Sequence, residues 1–205
     1  MRIPFSVRPN RSAVYLAERL NFFISNALGI TGFSLYPIAM SKLEIKTNRA
    51  KELIQTSKHI ALATTNADGS PHNSPVRFFY DEKFENIYWS SHMEAQHSQN
   101  ILRTGQIFGV IFDRVDTGGV YMRCENGHVL DGKELEIGLE ITHSARAKEG
   151  KEKVALDHYA EGSVQKMWSA KISNVWINIP VRDEKGFILK DERVELGRDT
   201  LLQDF

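Results

Sequence analysis

Cysteine is almost absent from this 205-residue chain: the single Cys124 excludes an internal disulfide and a cysteine-built metal site. That usage suits a reducing compartment, so a cytoplasmic location is expected. Net charge is absent as well, with 26 basic residues matching 26 acidic ones, which removes the electrostatic footprint of a nucleic-acid binder. The uncharged stretch 20–40 is interrupted by Asn21, Ser25, Asn26, Gly29, Gly32 and Pro37. It falls short of the roughly 20 mainly apolar residues of a membrane span, and no membrane association is expected. There is no glycine-rich phosphate loop, which argues against a dinucleotide-binding dehydrogenase, and no Gly-x-Ser-x-Gly elbow of a serine hydrolase. His92 and His97 are five apart and do not share a helix face, so no metal site is expected.

What is present begins with a compositional break. Residues 1–39 hold four arginines against one glutamate, whereas the rest of the chain carries 22 basic and 25 acidic residues. The arginine-rich, acid-poor segment has the composition of an organellar transit peptide, which would mean import if the segment is genuine. The abrupt change at Met40-Ser-Lys-Leu-Glu44 favours instead a native start at Met40, with the upstream segment foreign to the folded domain. On either origin residues 1–39 are expected to pack poorly, and residues 40–205 to form the domain.

The most informative stretch runs from Ser74-Pro-Val-Arg-Phe-Phe-Tyr-Asp81 through Ile87-Tyr-Trp-Ser-Ser91. Val76, Phe78 and Tyr80 alternate with Arg77 and Phe79 at the period of a half-buried strand, and Ile87-Tyr-Trp favours pleated structure. The spacing Ser91-His-Met-Glu94 fits a capping box, predicting a helix over residues 93–103 that opens at the end of the second strand. Two serines, Ser90 and Ser91, then stand where a helix presents unpaired N–H groups. Both an ordinary capped helix and a phosphate site fit that arrangement.

Around this stretch the chain reads as short strands with a few helices. Residues 48–58 predict a helix capped by Thr47 or Asn48, and Ile60 to Thr65 a strand, followed by an Asp-Gly turn and a new strand from Pro71. Residues 107–112 form a nearly continuous apolar run, read as a strand buried on both faces. Thr117-Gly-Gly119 is a turn, and Val120 to Cys124 with His128 to Leu130 a strand or a broken strand pair. An amphipathic helix is expected over residues 133–148, with Leu135, Leu139 and Ala145 on one face. A second short helix is expected over residues 164–171, then a strand over 175–179, a turn at 183–186 and a closing segment over 187–196. Strands at such intervals argue for a barrel over a doubly wound sheet.

The run Ile60 to Thr65, Asp68-Gly-Ser-Pro71, Ser74 to Asp81, Ile87 to Ser91, with His97 and Asn100-Ile101, resembles the flavin-binding split-barrel proteins related to pyridoxamine 5'-phosphate oxidase. The resemblance covers roughly residues 48–195. It implies a mainly β (α+β) fold, a small antiparallel Greek-key split β-barrel with flanking helices. It implies a homodimer holding flavin mononucleotide (FMN) at the subunit interface, and an FMN-dependent oxidoreductase acting on a small molecule. Asn73, Ser74, Pro75, Val76, Arg77 and Phe78 would run along the flavin ring, and Ser90 and Ser91 would contact its phosphate. Gln96 and His97 fall where the oxidase has an Arg-Lys pair, and Phe78 near another lysine, so vitamin B6 oxidation is not expected. Trp176 and Arg193 fall where the family brings an aromatic and an arginine toward the substrate. The alternative on the same barrel is a non-catalytic module binding flavin, haem or a deazaflavin.

Overall fold

The first helix is fixed by its cap. In the computed structural model, which describes residues 41–113, 119–159 and 161–202, Ser41 and Glu44 form a reciprocal capping box and helix α1 runs Lys42–Thr56. The expected start near residue 48 is thus corrected to Lys42, because the Ser41 hydroxyl already satisfies the Glu44 N–H. Ala50, Leu53 and Ile54, at helical spacing, are buried. The expectation for residues 1–39 lies outside the described residues.

Among the described residues seven antiparallel strands follow: β1 (His59–Thr65), β2 (Pro71–Tyr80), β3 (Asn86–His92), β4 (Ile107–Phe112), β5 (Gly119–Val129), β6 (Gln165–Arg182) and β7 (Ile188–Glu195). Helix α2 (Gln96–Thr104) lies between β3 and β4, α3 (Gly132–Lys148) between β5 and β6, and α4 (Arg198–Leu202) after β7; a 3-10 turn covers Leu156–Tyr159. The strand order is β3-β2-β1-β4-β5-β6-β7, and a further β3–β6 pairing closes the first six strands into a barrel. Strands β4-β1-β2-β3 stand in the spatial order of a Greek key. The expected mainly β split barrel is therefore the observed fold.

Strand β6 makes the split. Its first part pairs with β3 from Asn86↔Lys171 to His92↔Gln165, and its last part carries β7 from Trp176↔Glu195 to Arg182↔Ile188. Residues 164–171, expected as a helix, are corrected to strand. So short a segment, with Met167 and Trp168 adjacent, has no periodicity to separate the two states. Here Met167, Trp168, Ser169 and Ala170 are all buried, and ladders on both sides decide the matter. Strand β4 is corrected in the other direction. Ile107, Gly109 and Ile111 point into the core, whereas Phe108 and Val110 are only partly covered and Phe112 is 64% exposed. Strand β5 is one strand with two register shifts, one between Arg123 and Cys124 and one between Glu125 and His128; the second contains Asn126, with φ of 55°. Of the expected turn at Thr117-Gly-Gly119, only Gly119 lies within the described residues.

The barrel is filled by a core in which Trp89 of β3 and Trp168 of β6 stack at 6.2 Å with 15° between their planes, both fully buried. A second, smaller cluster lies on the outer surface beneath α3, where Tyr88, Leu130 and Met167 meet Leu135 and Leu139. Gly138 lets that helix come close, since a Cβ there would lie 2.6 Å from Leu130 Cδ1. Cys124 is buried in the main core; burial, with Glu125 nearby, pushes its thiol up to about 12, the behaviour of a small apolar residue.

Candidate functional site

The alternation of β2 decides which of its residues can meet a ligand. Val76 and Phe78 point into the core, while Arg77 points to the outer surface, where its guanidinium lies 5.3 Å from the centre of the Phe79 ring. Asn73 and Pro75 are exposed, opposite Ala63 and Ala61 of β1. Ser74 is partly buried, with His72 Nε2 3.0 Å from its Oγ.

On β3 the same period separates the two serines. Ser90 lies on the outer side, accepting a 2.7 Å hydrogen bond from Gln165 Nε2. Ser91 is buried, with its Oγ 2.7 Å from His97 Nε2. The expected capping box is corrected: β3 continues through His92 because that residue still pairs with Gln165. Helix α2 starts at Gln96 after Ala95, with no side-chain cap. Gln96 is exposed and donates to Asn100 Oδ1 at 3.0 Å. Buried Asn100 in turn donates to Thr64 Oγ1 and Asn66 Oδ1, tying the helix to the end of β1.

His97 is held inside the fold. Burial, then the neighbouring His72, lowers its pKa below the usual histidine range. The unfolded chain therefore takes up a proton near pH 6.5 that the folded chain resists. Stability is expected to be full above about pH 6.5 and to decline as pH falls through the lowered folded value. Denaturant unfolding between pH 5 and 7.5 checks this. A slope unchanged in His97→Gln would assign the effect elsewhere.

The ladder also opens. Among the described residues, strand β2 pairs with β3 only from Phe78↔Trp89 to Tyr80↔Ile87, and along residues 71–77 its ladder partner is β1 alone. Arg77 and Ser90 flank the last β2–β3 pair, on facing strands at the point where the two part. Both line a cavity of about 250 Å³ beneath α3, together with Thr142, Arg146 and His158. Arg77 Nη2 donates to Glu149 at 2.6 Å, and Arg77 Nε is buried without a hydrogen-bond partner. Hydrogen bonds from Arg77 first, then Lys151, hold the Glu149 carboxyl far below its usual value, at about 2.

Thr142, Arg146 and His158 were not legible as site residues in the sequence. A signal existed on α3: the apolar stripe of Leu135 and Leu139 continues at helical spacing as Thr142 and Arg146, so the polar pair shares the face turned to the barrel. His158, on the 3-10 turn, carried no such signal. Of the ten sequence-derived candidates, the structure brings Arg77 and Ser90 together in the cavity. Ser74, Ser91 and His97 lie on the inner side, and Val76 and Phe78 belong to the core. Trp176 and Arg193 are not among the cavity's lining residues. They lie on the outer face of the barrel, where Trp176 stacks on Phe108 and Arg193 lies 4.1 Å from the centre of the Tyr121 ring. Among the described residues no group of three His, Cys, Asp or Glu side chains is placed to hold a metal ion. No described helix is long and apolar enough to cross a membrane.

Residues 47–187 match the family model described as pyridoxamine 5'-phosphate oxidase. Among solved structures, a haem-binding protein from Mycobacterium smegmatis is similar over 82% of this chain and 62% of its own, with a TM-score of 0.54 and 14% identity. This chain thus spans less than two thirds of that protein's length. A protein from Clostridium acetobutylicum related to general stress protein 26 of B. subtilis (pyridoxinephosphate oxidase family) is similar over 79% of this chain and 99% of its own. Its TM-score is 0.51 at 11% identity. At such identities the likeness is one of fold. No curated protein matches the chain in sequence.

Proposed function

We propose a function from one premise: this chain belongs to the pyridoxamine 5'-phosphate oxidase family. On that premise it is a homodimeric FMN-dependent oxidoreductase acting on a small organic molecule. The observation that carries this reading is the parting of β2 from β3 at Arg77 and Ser90, above a cavity that also holds Arg146. The donors suit a phosphate, since the Ser90 hydroxyl and the guanidinium groups of Arg77 and Arg146 line one cavity. Arg77 and Ser90 would hold the phosphate, and residues 73–77 of β2 would offer backbone groups along the ring. When bound, the flavin would supply the two-electron redox chemistry, and the chain would supply orientation and exclusion of water.

A cavity of about 250 Å³ is smaller than the roughly 300–1,000 Å³ usual for a ligand pocket, which favours a site completed by a second copy. The partly uncovered outer face of β4 and β5, with Phe112 64% exposed, supports the same dimer.

A second reading, haem in place of flavin, draws on His158, an imidazole at the cavity that contains both arginines. The visible spectrum of the purified chain, before and after incubation with FMN and desalting, separates the two. A retained flavin spectrum is expected, and a haem-type band would overturn FMN in favour of the second reading. Ser90→Ala is expected to weaken FMN roughly three- to tenfold, the loss of one hydrogen bond. Unchanged affinity would remove Ser90 from the phosphate site.

A further inference from the structure

Glu149 stands where helix electrostatics disfavours it. It is the C-cap residue of α3, at the negative end of the helix dipole, a place that suits cations. Cations from three separate segments meet its carboxylate. Arg77 of β2 is at 2.6 Å, Lys151 beyond α3 at 3.1 Å, and Lys58, between α1 and β1, at 3.7 Å. Arg77 both holds this carboxylate through Nη2 and lines the cavity. Arg146 also lines the cavity, anchored by its Nε to the backbone oxygen of Glu152.

We propose that Glu149 is an internal competitor for the ligand's phosphate: its carboxylate occupies Arg77 in the free protein and is exchanged for the phosphoryl oxygens on binding. This rests on the reading that the cavity beneath α3 receives a phosphate. The exchange is inexpensive by construction. Released from Arg77, Glu149 keeps Lys58 and Lys151 as partners, so no carboxylate is left unpaired. Arg77 gives up one anion and gains another. The affinity of the site is therefore set by the difference between two anions for one guanidinium, and the protein holds that affinity down through its own side chain.

Inorganic phosphate titrated calorimetrically into the full chain tests this, with Glu149→Gln, Glu149→Asp and Arg146→Gln alongside, each checked for unchanged thermal unfolding. Glu149→Gln is expected to bind phosphate about three- to tenfold more tightly than the parent chain. Glu149→Asp, which keeps the charge, is expected to stay near the parent value, and Arg146→Gln to bind more weakly. If Arg146→Gln weakens phosphate but Glu149→Gln leaves it unchanged or weaker, the competition is overturned while the phosphate cavity stands. If no variant binds phosphate, or none differs from the parent, the cavity reading and the competitor fall together.

Discussion

Trp168→Ala is expected to remove about 3–5 kcal/mol of folding stability, the range for truncating a large buried aromatic. Trp168 has no exposed surface, stacks on Trp89 and sits on β6 between β3 and β5, opposite Trp89 on one side and Val129 on the other. Its Nε1 also donates to the Ser91 carbonyl at 3.3 Å, so truncation leaves both a void and a buried acceptor without its donor. Domains of this kind are typically stable by about 5–15 kcal/mol, which makes the loss a large share of the whole. Trp168→Phe keeps most of the volume and is expected to cost clearly less. Urea unfolding of both variants is the measurement. A loss below about 1 kcal/mol for the alanine variant would contradict the placement of Trp168 at the closure of the barrel.

Arg77→Gln is expected to lower FMN affinity by roughly ten- to a hundredfold while changing folding stability little. A charge-assisted contact to phosphate contributes about 1.5–3 kcal/mol, and each 1.4 kcal/mol is tenfold in affinity. The guanidinium is partly exposed and its ion pair with Glu149 lies at the surface, where such pairs add little to stability. The opposite signs expected for Arg77→Gln and Glu149→Gln follow from one geometry, since one removes the anion's partner and the other its rival. Fluorescence quenching of FMN titrated with protein, read beside urea unfolding, separates binding from folding. Equal FMN affinity in Arg77→Gln and the parent chain would move the phosphate away from the β2–β3 opening.

Where the sequence misled, the reason lies in how side chains are counted. Ser90 and Ser91 are adjacent in sequence and looked like one site, yet strand alternation sends Ser90 to the outer surface and Ser91 to His97 in the interior. The Ser91–Glu94 spacing fits a capping box, but a cap requires the strand to have ended, and the pairing of His92 with Gln165 extends β3. Residues 164–171 offered Met167 and Trp168 side by side with no period to arbitrate, so only their ladder partners made them strand. Arg146 was missed because it lies 69 positions from Arg77 and meets it only through the packing of α3 on the barrel.

By itself the sequence determined the local pieces: the alternation of β2, the Asp-Gly turn into it, the helix expected over 133–148, and the succession of short strands that predicts a barrel. These depend on period and turn chemistry, which act over a few residues. The tertiary structure alone decided the closure of the barrel through Trp89 and Trp168, the inward turn of His97, and the gathering of Arg77, Ser90 and Arg146 around one cavity. Those outcomes depend on which distant segments share a ladder or a face, and that choice belongs to the burial of the whole core, since no local pattern encodes it.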